Sequence, residues 1–595
     1  MKKISTLSSA AFIFCATTFT FAGNNAEIII PKQDPSKIPF TMKKGLREGV
    51  DYLSKTVIFK VKPAFRQNCK INSVDNILSV QDFLNTIGAQ NLAKIYPHHE
   101  KPAQERNSLG QKLVDLSLIY SFKYTAEIKL EKVINQLKSL GYFEYAEPWY
   151  VPTLDLIPND PSYSNAGQYF CKGNVTGSID CQNAWNLTQG STSVVIGIVD
   201  TGTQPTHPDL SPNLLAGWDV AMNDNDPTWQ GDAHGTHVCG CASARTNNGI
   251  GVASPGFTCK LLPVKIADAS GALVAGYTGI TWAADNGAKI INCSWGGSGG
   301  GSYGQSIIDY AAINKNCVIF ASAGNGGLDQ QLYPSSFNNV YRVASTTSGD
   351  AKSSFSDYGN DVDFGSPGSG IYSTYQTTYN TLSGTSMASP IAAGAAGLVQ
   401  SYFNYTNAFQ IGEKLKQTCD PYQGASTLSI YNAGKLGNGR IDVNRALTVA
   451  AKSLSMNPIT ITDQNDDVFL QGEMLYISGN FINYLDPSSS SASATLSVVS
   501  VSSGTAPAIS NGTFTIGALA TLATTNNNSS PFQATISASA PINQVINFRV
   551  RITDGAFTGD QYFSVTVNVD YINITINDVH TTITSKGRIG YNNDG

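Results

Sequence analysis

Residues Ser383–Val399 read SGTSMASPIAAGAAGLV. Ser386 stands just before eleven residues of which seven are Ala or Gly. A helix of such small residues suits close packing in a dense interior. Ser386 then has two readings. Serine ahead of a helix commonly serves as an N-cap. A hydroxyl at the positive end of a buried helix is also placed to do chemistry on a developing negative charge.

The surrounding region, 159–452, alternates short apolar runs with helical stretches. The runs are "VVIGIVD", "KLLPVKI", "AKIINCSW" and "NCVIFASAG". Strands buried on both faces and separated by helices predict a parallel sheet, and hence an α/β domain. The flanks differ. Residues 1–22 start with Lys2 and Lys3, run through "AAFIF" and "FTF", and end at a small-x-small site, the pattern of an export signal cut after Ala22. Residues 23–158 hold eighteen of the 38 Lys and Arg, with strand-like "KTVIFKVK" and "LSLIYSFKYT" and helix-like "LEKVINQLKSLG". They end in the Pro-punctuated "YAEPWYVPTLDLIPNDP", so a small α/β domain with an extended linker is expected. Residues 453–595 lose cysteine altogether. In "INFRVRIT" and "QYFSVTVNV", joined by Asp554-Gly555, apolar residues alternate with polar ones. That is the pattern of a β-sandwich. The chain stops soon after a further strand-like run, as expected of a piece of a longer protein.

The formal charge is −5 without a basic run, which argues against a nucleic-acid partner. Beyond the signal no segment is apolar for the roughly eighteen residues a membrane span needs. Export favours disulfides. Eight cysteines lie between Cys171 and Cys419, an even number that fits pairing with unreadable connectivity, and Cys171 with Cys181 would close a short loop.

Three polar residues fall where α/β enzymes work. Asp200 ends the run Val194–Val199, and the carboxyl ends of parallel strands carry the sites of open sheets. His234 opens "HGTHVCGCASA", and Ser386 opens the Ala/Gly helix. Asn325, in "ASAGNGG", follows another apolar strand. A serine hydroxyl needs a base, the base needs an orienting carboxylate, and carbonyl addition needs donors for the oxyanion. The four residues supply these parts. Singly each has a plainer reading: a turn aspartate, a helix-start histidine, a cap. The order Asp200, His234, Ser386 is more specific.

"IVDTGTQPTHPDL", "HGTHVCG", "NCSWGG", "ASAGN" and "SGTSMASP" resemble, in that order, the sequence blocks of the subtilisin-like serine proteases (subtilase family). The resemblance implies a mainly parallel sheet with helices on both faces, preceded by a small α/β prodomain and followed by an all-β, Ig-like sandwich. It implies that Asp200 orients, His234 is the base, Ser386 is the nucleophile and Asn325 is the oxyanion donor, while His207 and His237 are not the base. Substrate would lie between Ser294-Trp295-Gly296 and Ser270-Gly271-Ala272, an edge-pairing mode that gives affinity through main-chain bonds. Trp295 and Leu332 imply an apolar P1 pocket. Asp209 matches a calcium ligand of some relatives, but "TNNGIGVASP" is shorter than their calcium-binding loop. A structural calcium is thus a candidate, and the chemistry needs no cofactor.

The expectation is a secreted endopeptidase acting on proteins or peptides, made as a zymogen whose prodomain inhibits it and which cuts itself between Tyr150 and Asp160. A non-catalytic adhesion or binding protein on a decayed protease core is the alternative, and the presence of all four catalytic groups argues against it. An α/β-hydrolase esterase is excluded, because Ser386 lies in G-T-S-M-A and the acid precedes the base.

Overall fold

The structure is a computed structural model and describes residues 39–42, 48–49, 51–151, 156–423, 425–569, 572–576, 579–583 and 589–592. The proposed export signal lies outside these residues. The chain divides into two compact units, one up to Pro152 and one from Thr153 on.

The first unit is an antiparallel sheet with two helices. Strands β1 (Tyr52–Val61), β2 (Ala89–Lys94), β3 (Ile119–Tyr124) and β4 (Phe143–Tyr150) lie in the order β2-β3-β1-β4. Helices α1 (Leu78–Thr86) and α2 (Leu130–Ser139) complete it. Leu130, Val133, Ile134 and Leu137 recur at helical spacing along α2 and are all buried. They share one core with Val57, Phe59 and Phe122 of the sheet.

The second unit is built on a seven-stranded sheet in which every neighbouring pair is parallel. After α3 (Cys181–Trp185) come β5 (Val195–Asp200), β6 (Trp218–Asp219), α4 (His234–Ser243), β7 (Lys260–Lys265), α5 (Gly276–Asp285), β8 (Ile290–Cys293), α6 (Ser302–Asp309), β9 (Val318–Ser322), β10 (Val340–Thr346) and β11 (Phe364–Pro367). The sheet order is β11-β10-β9-β8-β5-β7-β6. Successive strand residues go to opposite faces. Ile196 and Ile198 join the core beneath α4 and α7 (Thr385–Phe403), and Val199 joins the core beneath α5. Burial on both faces is why the runs read as continuously apolar. From β5 the chain goes first to one side of the sheet and then, at β8, to the other. That reversal is where doubly wound sheets open a crevice at the strand carboxyl ends.

Helix α7 packs on α4, and its small residues make the approach possible. A Cβ on Gly394 would stand 2.2 Å from the Ala242 carbonyl oxygen of α4. Beyond α8 (Phe409–Gln417), the strands between Leu454 and Val567 form two antiparallel sheets sharing one core. Gln544–Asp554 and Phe557–Val567 pair as a hairpin across Gly555, and Ile546, Phe548, Val550 and Ile552 are fully buried, as their alternation requires. The sandwich is fastened to α8: Gln410 Nε2 donates to Tyr484 O at 2.9 Å, and Ser453 Oγ to Glu413 Oε2 at 2.5 Å. Three short strands between Ile572 and Asn592 follow it.

The cysteines depart from expectation. Among the described residues all nine are free thiols, seven of them buried. Cys171 Sγ donates to Ala253 O at 3.8 Å. The others are scattered and occupied locally: Cys241 Sγ lies 3.4 Å from His237 Nδ1, and Cys317 Sγ donates to Ala288 O at 3.0 Å.

Because the α4–α7 contact is backbone against backbone, Gly394→Ala in an inactive Ser386→Ala background should cost about 1–3 kcal/mol, measured by urea unfolding. A cost below about 0.5 kcal/mol, the range of neutral surface changes, would show that the helices separate freely.

Candidate active site

The crevice at the strand ends gathers the predicted residues. Asp200 is the last residue of β5 and is 1% exposed. Its Oδ1 accepts from Thr201 N and from His234 Nδ1, both at 2.7 Å. His234 is the first residue of α4. The helix can come so near only because position 235 is glycine: a Cβ there would stand 2.2 Å from Gly202 O and 3.1 Å from Asp200 Cβ. Burial works against a charge on His234, but the Asp200 carboxylate and its hydrogen bond, with Asp232 behind them, outweigh burial and raise the His234 pKa above 6.5. With Nδ1–H held by Asp200, the tautomer leaves Nε2 free to accept a proton.

Ser386 is the second residue of α7, inside the helix rather than capping it, and the cap position Gly384 has no side-chain bond. Its hydroxyl donates to Ser294 O at 3.1 Å, rather than to His234. Ser294 returns the favour in the other direction, its Oγ donating to Ser386 O at 2.9 Å. The cause lies four residues on. Pro390 has no N–H, so the Ser386 carbonyl loses its intrahelical donor and must find another. Behind this pair Asn292 Nδ2 donates to Ser294 Oγ at 2.9 Å, and Ser389 Oγ donates to Asn292 Oδ1 at 2.7 Å, both residues being fully buried.

Asn325 lies just past β9. Its Oδ1 accepts from Thr385 N and Thr385 Oγ1, each at 2.9 Å. Two donors on the oxygen fix the amide orientation and turn Nδ2 the other way. A Cβ on Gly384 would stand 3.6 Å from both Asn325 Nδ2 and Ser386 N, so glycine there keeps the space beside these two donors open. Thr385, Asn292, Ser389 and Pro390 were missed in the sequence reading. The proline four residues after Ser386 is the one signal that could have pointed to Ser294.

His237 and His207 are structural. His237 is buried, its Nε2 shared between Ile371 O and Asn380 O at 3.2 Å each, and burial pushes its pKa down to about 4. His207 Nε2 donates to Thr378 O at 2.9 Å, and burial lowers its pKa too.

Of the expected substrate edges, Gly296 is exposed, and the segment is held by Gly297, which exchanges backbone bonds with Tyr333 at 2.9 and 2.8 Å. Leu332 packs beside Gly324 and Gly296. Trp295 is committed elsewhere, its indole N–H donating to Val199 O at 2.9 Å and its ring lying over Gly276. The Ser270–Ala272 edge is a turn closed on Asp268, whose Oδ1 accepts from Ser270 N at 2.8 Å and Ala272 N at 3.0 Å. It runs alongside Gln230 and Gly231, just before His234.

Asp209 does not suit calcium. It is fully buried, its Oδ1 accepts from Asn248 Nδ2 at 2.9 Å and its Oδ2 from Val252 N at 2.9 Å. Calcium wants six to eight oxygen ligands, whereas this carboxylate faces N–H donors. Among the described residues no group of three or more His, Cys, Asp or Glu side chains could hold a metal. Burial pushes the Asp209 pKa up to about 7 despite these bonds.

Residues 191–434 match the Subtilase family. Thermitase of Thermoactinomyces vulgaris is 45% identical over 273 residues, which are 45% of this chain and 94% of that protein. The thermophilic serine proteinase of Bacillus sp. (strain AK1) is 37% identical over 322 residues, 54% of this chain and 76% of that protein. An extracellular basic protease of Dichelobacter nodosus is 32% identical over 344 residues, 49% of this chain and 55% of that protein. The fold and these relatives define a serine-type endopeptidase. The chain belongs to the subtilase family.

If Asp209 serves hydrogen bonds rather than a metal, Asp209→Ala strands the donors of Asn248 and Val252. It should cost about 1–3 kcal/mol, equally in calcium and in a chelator, by thermal unfolding of the Ser386→Ala form. A cost seen only in calcium would restore the metal.

Proposed function

We propose that the chain is an exported serine endopeptidase, made as a self-processing zymogen, in which Ser386 is the nucleophile, His234 the general base and acid, Asp200 its orienting carboxylate and Asn325 an oxyanion donor. The observation that carries this reading is the 2.7 Å Asp200–His234 bond at the carboxyl end of β5, on the same rim as Ser386 and Asn325. In the reaction Ser386 Oγ adds to the scissile carbonyl and its proton passes to His234 Nε2. The oxyanion formed is met by Asn325 Nδ2 and Ser386 N–H, with the α7 dipole behind them. His234 then protonates the departing amine, and water repeats the sequence on the acyl-enzyme.

The resting hydroxyl is not yet poised, because Ser294 O holds it. A peptide strand adding along Ser294–Gly296 brings its own N–H to that carbonyl and competes for it, leaving Ser386 free to turn to His234. Nucleophile–base bonds that tighten only with substrate are common. Gly296, Leu332 and the turn Ser270–Ala272 support an extended substrate with an apolar P1 side chain. Export is supported by the N-terminal signal pattern and by the extracellular relative. No helix of the described residues is long and apolar enough to cross a membrane. The unit ending at Pro152 is proposed as the prodomain, a tethered inhibitor whose effective concentration need reach only about the millimolar range. Part of its expected cleavage stretch, residues 152–155, lies outside the described residues.

His234 must be neutral to act. Its pKa is raised, so the base is lost as pH falls through a value above the ordinary 6.5 or so. The acid limb of kcat/KM should therefore have its midpoint above about pH 6.5. Full activity at pH 5 would remove His234 from the mechanism.

Self-processing is tested by expressing the wild type and Ser386→Ala without any other protease and comparing intact masses. The wild type should be shortened between Tyr150 and Asp160, and Ser386→Ala should persist uncut from near Gly23. Equal trimming of both would assign the cut to another enzyme.

A further inference from the structure

Arg342, in the middle of β10, is fully buried. Its neighbours in the strand, Tyr341, Val343 and Ala344, are buried as well, so packing alone calls for an apolar residue there. A guanidinium in the interior is costly unless its charge is paired and its donors are met; here both terminal nitrogens are bonded, while Nε is buried without a partner. One terminal nitrogen pairs with the Asp361 carboxylate. The other donates to two carbonyls, Ala323 O at 3.0 Å and Gln330 O at 2.7 Å. Those carbonyls are the two ends of one loop, and Asn325 lies between them. The same loop is held a second time by Asp357, also fully buried: its backbone N donates to Gly324 O at 2.9 Å, and its carboxylate accepts from Leu328 N at 2.8 Å and from Gln330 Nε2 at 2.9 Å.

We propose that Arg342 is a positioning residue for the reaction, clamping both ends of the Ala323–Gln330 loop so that Asn325 Nδ2 is held where the oxyanion forms. This rests on the reading of Asn325 as oxyanion donor. Asn325 itself is fixed from above by Thr385, which takes its Oδ1, while the backbone carrying it is fixed from below by the arginine fork. A planar guanidinium reaches two diverging carbonyls and a carboxylate at once, and a lysine ammonium is a single point on a flexible stem. Charge alone therefore does not reproduce the clamp.

The test is a double-mutant cycle. Arg342→Lys and Arg342→Met are made in the wild-type and the Asn325→Ala backgrounds, and kcat and KM are measured on a soluble peptide substrate after titrating active sites. A loop displaced by a fraction of an ångström to an ångström should lower kcat by about 10–100-fold with KM changed by less than about twofold. In the Asn325→Ala background the same substitutions should lower kcat by no more than about twofold, because the group they position is gone. A peptide boronate, whose tetrahedral adduct places an oxygen at the oxyanion site, should lose affinity in parallel with kcat. If kcat in folded Arg342→Lys equals wild type, or falls equally in both backgrounds, Arg342 is only structural and the proposal is overturned. If neither arginine variant folds, Asp361→Asn leaves the guanidinium but removes its anchor. It should lower kcat in the wild-type background alone, and an equal fall in both overturns the proposal. If Asn325→Ala by itself keeps wild-type kcat, the oxyanion reading fails and the clamp fails with it, a result distinct from failure at Arg342.

Discussion

Two serines exchange hydrogen bonds at the carboxyl end of β8. Ser294 at the end of β8 gives its hydroxyl to the Ser386 carbonyl, and Ser386 gives its hydroxyl back to the Ser294 carbonyl. The first bond exists because Pro390 cannot close the first turn of α7. It ties the start of that helix to the carboxyl end of a central strand, with Asn292 and Ser389 setting it from behind. The attachment sets the helix N-terminus at the crevice and places the backbone N–H of Ser386 beside Asn325.

The site also illustrates where a protein keeps its polar groups. The sheet is mostly apolar on both faces, and β5, β8 and β9 each end in a residue or loop committed to hydrogen bonds: Asp200, Ser294 and Asn325. Burial makes the bonds of Asp200 and Ser294 costly to lose, and exposed Asn325 is held instead through its bonds to the buried Thr385. The same economy is seen away from the site. Asp209 secures the Asn248–Val252 loop through hydrogen bonds, and Glu413 ties α8 to the sandwich through Ser453. The active-site helix and the sandwich thus belong to one continuous packed unit.

Much of this was legible in the residues. The strands β5, β7, β8 and β9 showed as apolar runs, α2 by its spacing and the terminal hairpin by strict alternation, because each buries a periodic face. Asp200, His234, Ser386 and Asn325 were legible only together, as an ordered set on strand ends, since each alone has a common structural role. The supporting residues were not. Asn292, Ser389 and Thr385 are small polar residues whose burial leaves no periodic trace, and Arg342 interrupts β10 with a charge that reads as solvent-facing. Their partners lie far along the chain, so only the fold brings them into view. Cysteine number suggested pairing, but the sulfurs are distributed through the core, where single thiols pack as small apolar groups.

The central claim is that Ser386 is the one activated hydroxyl, made so by His234 and Asp200. The most direct measurement is labelling of the processed protein with a fluorophosphonate, followed by peptide mapping of the adduct by mass spectrometry. The account predicts a single adduct on Ser386, formed quickly in the wild type and at most very slowly when His234 is replaced by alanine. An adduct on another residue, or equal labelling of Ser386 with and without His234, would contradict it.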